Sequence, residues 1–313
     1  MRYSPFRSIL LSLAILSAAE ARADGFSSFV SDFQNAMEHG KLIHELGIDN
    51  DSLLFNRDDG FYTSGMFYTR RYAVQDSSKV TMFGWRIGQE LYTASDIKLP
   101  PEKIGPPDHP YAAWLFGGIF KEIHRNDGSH SRLGLDFGCL GLCAGGEWTQ
   151  DTLHAILNQP MPQGWSKQVR NEFGVVLHAD VAPIRWTPIP SLDITPSMKG
   201  RFGNIYTDVA GDVTIRAGRL NILPYQPALH GFLRMEARAV AYNATLQGGY
   251  FSNGNPYTVE PKRAVGEIEA GMAWIGASYA LKASIVRRSN EIRDLSNSIG
   301  AQNFVRLQIV YMP

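Results

Sequence analysis

Apolar and polar residues alternate along the last third of the chain with the period of a β-strand. Leu233, Met235, Ala237, Ala239 and Ala241 share one parity, while Arg234, Glu236 and Arg238 hold the other. Ile268, Ala270, Met272 and Trp274 alternate with Glu267 and Glu269, and Val305, Leu307, Ile309 and Tyr311 with Arg306 and Gln308. Successive strand side chains point to opposite sides, so each segment has a dry face and a charged one. In a soluble sandwich the dry face meets a partner sheet; in a membrane barrel it meets lipid and the charges line the lumen. Two further features favour the barrel. The segments run to about 10 residues or more, beyond the usual 5–6 of globular sheets. Aromatics also stand near their ends (Tyr68, Tyr72, Tyr92, Trp114, Trp186, Tyr206, Tyr242, Trp274, Tyr311), like an interfacial girdle. The pattern predicts an all-β fold, an up-and-down antiparallel transmembrane β-barrel. Arg234, Glu236, Arg238, Glu267, Glu269, Arg306 and Gln308 then face inward, because a lipid-facing Arg or Lys at mid-depth costs about 2–4 kcal/mol. A soluble exported β-sandwich binding module is the competing architecture.

Turn signals divide the chain. Residues 75–79, 125–129 (with Asn126-Asp127-Gly128) and 243–249 read as short or polar turns; 51–61, 93–110 and 142–171 read as longer connections. Outer-membrane barrels have short periplasmic turns and long outer loops, which puts the three long segments on the outer rim. Asn50, Asp51, Thr63, Asp96, Lys98 and His154 converge there. In the third segment Leu153, Ile156 and Leu157 follow helical spacing after Thr149 as N-cap, until Pro160 and Pro162. A short helix is therefore expected in an outer loop, with a second over Trp165, Gln168 and Val169. Residues 26–38 (Phe29, Val30, Phe33, Met37) are weakly amphipathic and read as a periplasmic or interfacial N-terminal helix.

Arg2 and Arg7, an apolar run over 9–18, and Ala21-Arg22-Ala23 ahead of Asp24 have the layout of a secretory signal with its cleavage site. That predicts a signal peptide over 1–23, an N-terminal extension over 24–40 and a barrel domain over 41–313. Past the signal no stretch of about 18 apolar residues offers a transmembrane helix. Thirty basic and 30 acidic side chains balance to zero, so nothing points to nucleic acid or a polybasic membrane tether. Cys139 and Cys143 suit an oxidising compartment without a disulfide framework. In a continuous strand they would lie about 13 Å apart, against a limit of about 7 Å for a disulfide. Gly138, Gly141, Gly145 and Gly146 could bend the backbone enough to close one, but the favoured expectation is two unpaired cysteines, buried or lipid-facing.

No Gly-x-Ser-x-Gly elbow is present, and His44-Glu45 lacks the second histidine of a His-Glu-x-x-His site. A serine nucleophile and a zinc hydrolase are thus unsupported. His154 is the candidate base, because a neutral imidazole near physiological pH accepts a proton from water. Taken alone it reads more readily as a surface loop histidine. Asn50 and Asp51 offer hard oxygens of the kind Ca2+ prefers and Thr63 adds a hydroxyl, against the plainer reading of Asn and Asp as turn formers. Lys98, Arg57 and Lys103 are basic residues of the long segments that could meet phosphate, with solvated loop charge as the plain alternative.

The order of short motifs changes that balance. Asp49-Asn50-Asp51 precedes Tyr62-Thr63-Ser64-Gly65; Gln89 and Tyr92 follow, then Asp108-His109-Pro110-Tyr111-Ala112-Ala113-Trp114-Leu115, then Gly145-Gly146-Glu147 ahead of Gln150 and His154. This series, spread over the first half of the mature chain, resembles the outer-membrane lipid A 3′-O-deacylase family. The resemblance implies twelve strands and an outer-leaflet site, facing the cell exterior, that removes an ester-linked acyl group from lipid A. It implies that Asn50, Asp51 and Thr63 line a calcium-dependent site, that His154 activates the attacking water, and that Lys98 and Gln150 meet the lipopolysaccharide substrate. Insertion into the outer membrane would call on the barrel-assembly machinery. The chain departs from the family in His109 and Ala113, where Arg and Gly are commoner, in the absence of an acidic residue just after His154, and in its Tyr311-Met312-Pro313 end. A non-catalytic porin-like or adhesin-like barrel is the competing functional reading.

Overall fold

The computed structural model of the protein describes residues 26–54 and 60–313; the expected signal peptide and Arg57 lie outside them. Helix α1 (Phe26–His39) belongs to a unit of its own. Its Phe29 and Phe33 stand one turn apart on one face, with rings in edge contact at 6.0 Å.

From Lys41 the chain is strand after strand: β1 (Lys41–Asn50), β2 (Phe61–Gln75), β3 (Lys79–Thr93), β4 (Ala112–Arg125), β5 (His130–Leu140), β6 (Glu172–Ala182), β7 (Trp186–Ile189), β8 (Leu192–Gly203), β9 (Tyr206–Arg219), β10 (Ala228–Asn243), β11 (Ala264–Ile275), β12 (Tyr279–Arg288) and β13 (Gln302–Tyr311). Neighbours pair antiparallel, β1 pairs with β13, and β6 pairs with β8, so twelve strands close into a barrel. The short β7 stays attached to β8 outside the ring. Closure pairs the two ends of the sheet through β6 and β8, which is what lets a sheet sit in lipid. No helix among the described residues is long and apolar enough to cross a membrane.

Short and long connections fall at opposite ends, as the turn signals predict. At the turn end, residues 126–129 reverse the chain with Gly128 at φ +85°, while the Asp127 carboxylate accepts from Ser129 N at 2.8 Å. The loop end carries residues 51–54, 94–111, 141–171, 244–263 and 289–301, and also the two-residue link 204–205 between β8 and β9. Residues 243–249 are not a short turn. Asn243 caps a helical turn, Ala244–Gln247, by accepting from Thr245 N, and so opens the long connection.

The inward parity is the predicted one. Arg234 binds Glu236, Glu267 and Glu269; Arg306 binds Asp49 and Glu269; Arg288 binds Glu267. Such a network keeps charges paired inside the wall, while Leu46, Ile87, Met272, Ile285 and Ile309 stand exposed outside it. The girdle expectation holds only in part. Trp186, Trp274 and Tyr311 are exposed near the turn end, but Tyr92, Trp114 and Tyr206 are buried with Tyr62 and Phe304 as a lumenal cluster at the loop end. At the turn end Leu223, with Tyr225 beside it, packs on Val80 and Met82. Large rings near strand ends therefore serve as plugs as well as anchors.

Candidate active site on the outer wall

Antiparallel partners carry their side chains on one face, so the register shows which residues share a wall. Ile48 pairs with Met66, Met66 with Gln89 and Gln89 with Leu115; exposed Ile48 and Leu115 mark this row as outward. One step nearer the loop end, Asn50 pairs with Ser64, Ser64 with Leu91 and Leu91 with Ala113. Asn50, Ser64 and Gln89 thus belong to the outside of the barrel. At Thr63 the ladder slips, because Tyr62 pairs with Tyr92 but Ser64 with Leu91. This β-bulge re-aims the strand end. Tyr62 donates to Asp49 in the lumen at 3.2 Å, while the Thr63 and Ser64 hydroxyls are buried.

Asp51 is held against the bulge. Its N donates to the Thr63 carbonyl at 3.4 Å, and its carboxylate accepts from Gly60 N at 3.1 Å. It is 5% exposed. Asn50 Oδ1 accepts from the Ser52 hydroxyl. The donors gathered here, from Asn50, Asp51, Thr63 and Ser64, include hard oxygens and no thiol or imidazole, which fits Ca2+ better than Zn2+. With one carboxylate among them, waters or substrate oxygens would complete the shell. No cluster of three His, Cys, Asp or Glu able to hold a metal occurs among the described residues.

The other half of the site sits on helix α2 (Gly146–Leu157), which begins three residues before the expected cap because Gly145 adopts the left-handed conformation at φ +67°. Gly146, Gln150 and His154 are buried along one face at four-residue steps. That face meets the barrel wall at its start. A Cβ on Gly146 would come within 2.5 Å of the Ala113 methyl, and Gln89 donates from the wall to the Ala144 carbonyl at 2.7 Å. Ile156 and Leu157, whose spacing announced the helix, are exposed along with Trp148. The second expected helix is a single tight turn, Trp165–Lys167. Its Trp165 indole donates to Gln150 Oε1 at 3.0 Å, which leaves the Gln150 Nε2 buried with no hydrogen-bond partner among the described residues.

His154 Nδ1 lies 2.6 Å from the Pro160 carbonyl. A carbonyl only accepts, so the neutral ring keeps its proton on Nδ1 and its lone pair on Nε2. Asn158, left-handed at φ +52°, ends α2 and turns the chain back so that Pro160 reaches the ring. His109 stacks on Tyr92 with ring centroids 5.3 Å apart. Burial holds its imidazole below the usual pKa. Lys98 and Lys103 are exposed on residues 94–111, and among the described residues no hydrogen bond or ion pair joins their side chains to the bulge.

Cys139 and Cys143 form a disulfide with Cα atoms 6.0 Å apart, correcting the expectation of unpaired thiols. The chain does not continue as a strand. After Leu140, Gly141 takes φ +91° and the turn Leu142–Ala144 folds Cys143 back. Register joins Asn50 with Ser64 on one wall that also carries Gln89, the Asp51 N–Thr63 carbonyl bond adds Asp51 and Thr63, and the Gln89–Ala144 and Gly146–Ala113 contacts place the start of α2, the helix of Gln150 and His154, on the same wall at the same end. Sequence reasoning passed over Ser64, Trp165 and Pro160 as site residues. Ser64 stood beside Thr63 and Pro160 six residues after His154, but nothing in their spacing tied them to the site.

Across nearly the whole chain, residues 8–311 match the family model described as Outer membrane protein LpxR. The chain belongs to the LpxR family of outer membrane proteins. Among solved structures, LpxR from Salmonella typhimurium aligns at a TM-score of 0.72 with 20% identity, covering 87% of this chain and 100% of that one. At that identity the match speaks for the fold, the LpxR barrel. The β domain of the Bordetella autotransporter BrkA aligns at 0.47, with 10% identity over 87% of this chain and 98% of that one. No curated protein matches the sequence. LpxR membership agrees with the resemblance read from the motif order.

Proposed function

We propose that this LpxR-family barrel hydrolyses an ester-linked acyl chain, the 3′-O chain, of lipid A in the outer leaflet, with its site facing the cell exterior. One observation carries the reading: polar groups of β1, β2 and β3 stand on the outward wall of a membrane barrel, beside a helix that buries a histidine. Polar side chains on a lipid-facing surface are expensive, and a substrate that resides in the membrane reaches them without entering the lumen. His154 Nε2, its tautomer set by Pro160, takes a proton from water as the oxygen attacks the ester carbonyl carbon. The tetrahedral intermediate then collapses, the fatty acid leaves, and the proton on Nε2 passes to the departing sugar oxygen. Gln150 Nε2, buried and unpartnered, offers a hydrogen bond to the carbonyl oxygen as negative charge builds on it. Asp51, Asn50 and Thr63 would hold Ca2+, which when bound supplies positive charge for that oxygen. Lys98 is assigned to the lipid phosphates as an exposed loop cation, and insertion is assigned to the cell's barrel-assembly machinery.

The test is mass spectrometry of lipid A from a host expressing the chain. Loss of one acyl chain, abolished in His154→Ala while the barrel still shows heat-modifiable migration, is the expected result. Unchanged lipid A beside a correctly inserted wild-type barrel would favour the passive-barrel reading.

A further inference from the structure

The rim of the barrel has a notch on the side away from the Asp51 bulge. β8 and β9 are joined by residues 204–205 alone, and β6 pairs with β8 only from Val176 to Val181. Residues 172–174 of β6 therefore run past the end of that ladder. The long 244–263 connection crosses the gap. Glu172, 6% exposed, ties the pieces together: its carboxylate accepts from Asn204 Nδ2 at 2.8 Å, Phe251 N at 2.9 Å and Ser252 N at 2.8 Å. Asn255 reaches back to accept from Arg170 N at 2.7 Å.

Beneath this bridge lies a groove of about 1050 Å³. Register places its floor on the outside of the wall, since Phe173 pairs with Cys139 and Leu177 with Phe202, one of the exposed apolar rows. Phe173, Phe202, Tyr250 and Phe251 line it at 68%, 64%, 69% and 75% exposure, drawn from three separate elements. Rings left that bare contribute little to folding, so their convergence calls for an occupant. The carboxylate in the lining, Glu172, already accepts three bonds, which makes the groove apolar and suited to a hydrocarbon chain. It is continuous with the lipid-facing wall through Leu135 and Leu177.

We infer that this groove binds an uncleaved acyl chain of the same lipid A molecule whose ester is hydrolysed beside α2, an inference that rests on the deacylase reading above. Connection 141–171 carries α2 near β4 and ends at Asn171, which lines the groove. The groove is thus offset from the start of α2 by about two strand spacings, β4 to β6, or about 10 Å, and from the bulge on β2 by about four, or about 19 Å, spans that one multiply acylated lipid bridges. An anchored second chain fixes the lipid's orientation and so decides which ester meets His154.

The experiment uses the full barrel in mixed micelles, both wild type and His154→Ala, with lipid A carrying a photoactivatable diazirine in an acyl chain. Crosslinks are expected on Phe173, Phe202, Tyr250 or Phe251, competed by unlabelled lipid A and not by phosphatidylethanolamine of equal chain length. Val175→Trp combined with Thr207→Trp, which fills the groove, should remove these crosslinks. The same pair should raise KM for lipid A at least about 5-fold with kcat within about 2-fold. Crosslinks spread evenly around the wall, equal competition by phosphatidylethanolamine, or an unchanged KM would overturn the proposal. Since His154→Ala reports binding without turnover, groove crosslinks in a wild-type barrel that itself shows no deacylase activity would sink the deacylase reading while leaving the groove as a lipid site.

Discussion

The Pro160 carbonyl sets the proton of His154 on Nδ1, so the basicity of Nε2 depends on a backbone turn as much as on the imidazole. Removing the ring in His154→Ala is expected to slow lipid A deacylation at least about 100-fold, the lower range for loss of a general base. A variant with wild-type turnover would exclude His154. Asp51 is the carboxylate among the oxygens at the bulge, and neither Asn50 nor Thr63 can replace its charge. Excess chelator and Asp51→Ala should each abolish activity without disturbing insertion, and full activity in chelator would leave these residues as turn chemistry. His109 gives a pH test. Burial lowers its pKa, so the folded ring binds fewer protons than the unfolded one, and stability is lost as pH falls through the unfolded value of about 6.5. Amide protection across residues 94–111 should fall between pH 7.5 and pH 5.5. His109→Phe, which keeps the ring against Tyr92, should flatten that dependence; an identical profile would show that another group titrates.

At the level of elements, the Cys139–Cys143 bridge ties the end of β5 to the turn that leads into α2. Cys143→Ser should therefore raise hydrogen exchange within 141–171 while the strands keep their protection. Equal exchange in both proteins would mean that the Gln89–Ala144 and Trp165–Gln150 contacts hold the loop alone. Strand parity was legible because it is local: Arg234 and Glu236 face inward whatever the rest of the chain does. The bulge at Thr63 was not, since one extra residue opposite Leu91 is a property of two strands together and leaves no mark in either. The start of α2 was misplaced because Thr149 is a better cap by type than Gly145, yet close approach to Ala113 requires glycine at 146 and draws the helix forward. His154 was found through motif order, whereas the carbonyl that orients it lies six residues on, in a segment that reads simply as a helix stop.

Over the whole molecule, the lumen is filled rather than open. Rings at one end, the Arg234 and Arg306 networks in the middle and Leu223 at the other leave a packed core inside the wall. Planar-bilayer recordings should show no unitary conductance, and stepwise currents from the wild-type barrel would contradict this packing. Glu267→Ala leaves Arg234 and Arg288 short of a buried partner, and loss of one member of a buried network costs about 3–5 kcal/mol; a matching drop in the denaturant midpoint of the folded barrel is the check. The sequence announced charges inside, but not the rings that close the ends, because a tyrosine near a strand terminus has the same spacing whether it faces lipid or lumen. A site on the outside of a stoppered barrel also changes what concentration means for it. Such a surface samples the film of amphiphile around it, so turnover should follow the mole fraction of lipid A in that film. Adding inert detergent at constant bulk substrate should then slow the reaction by dilution in two dimensions.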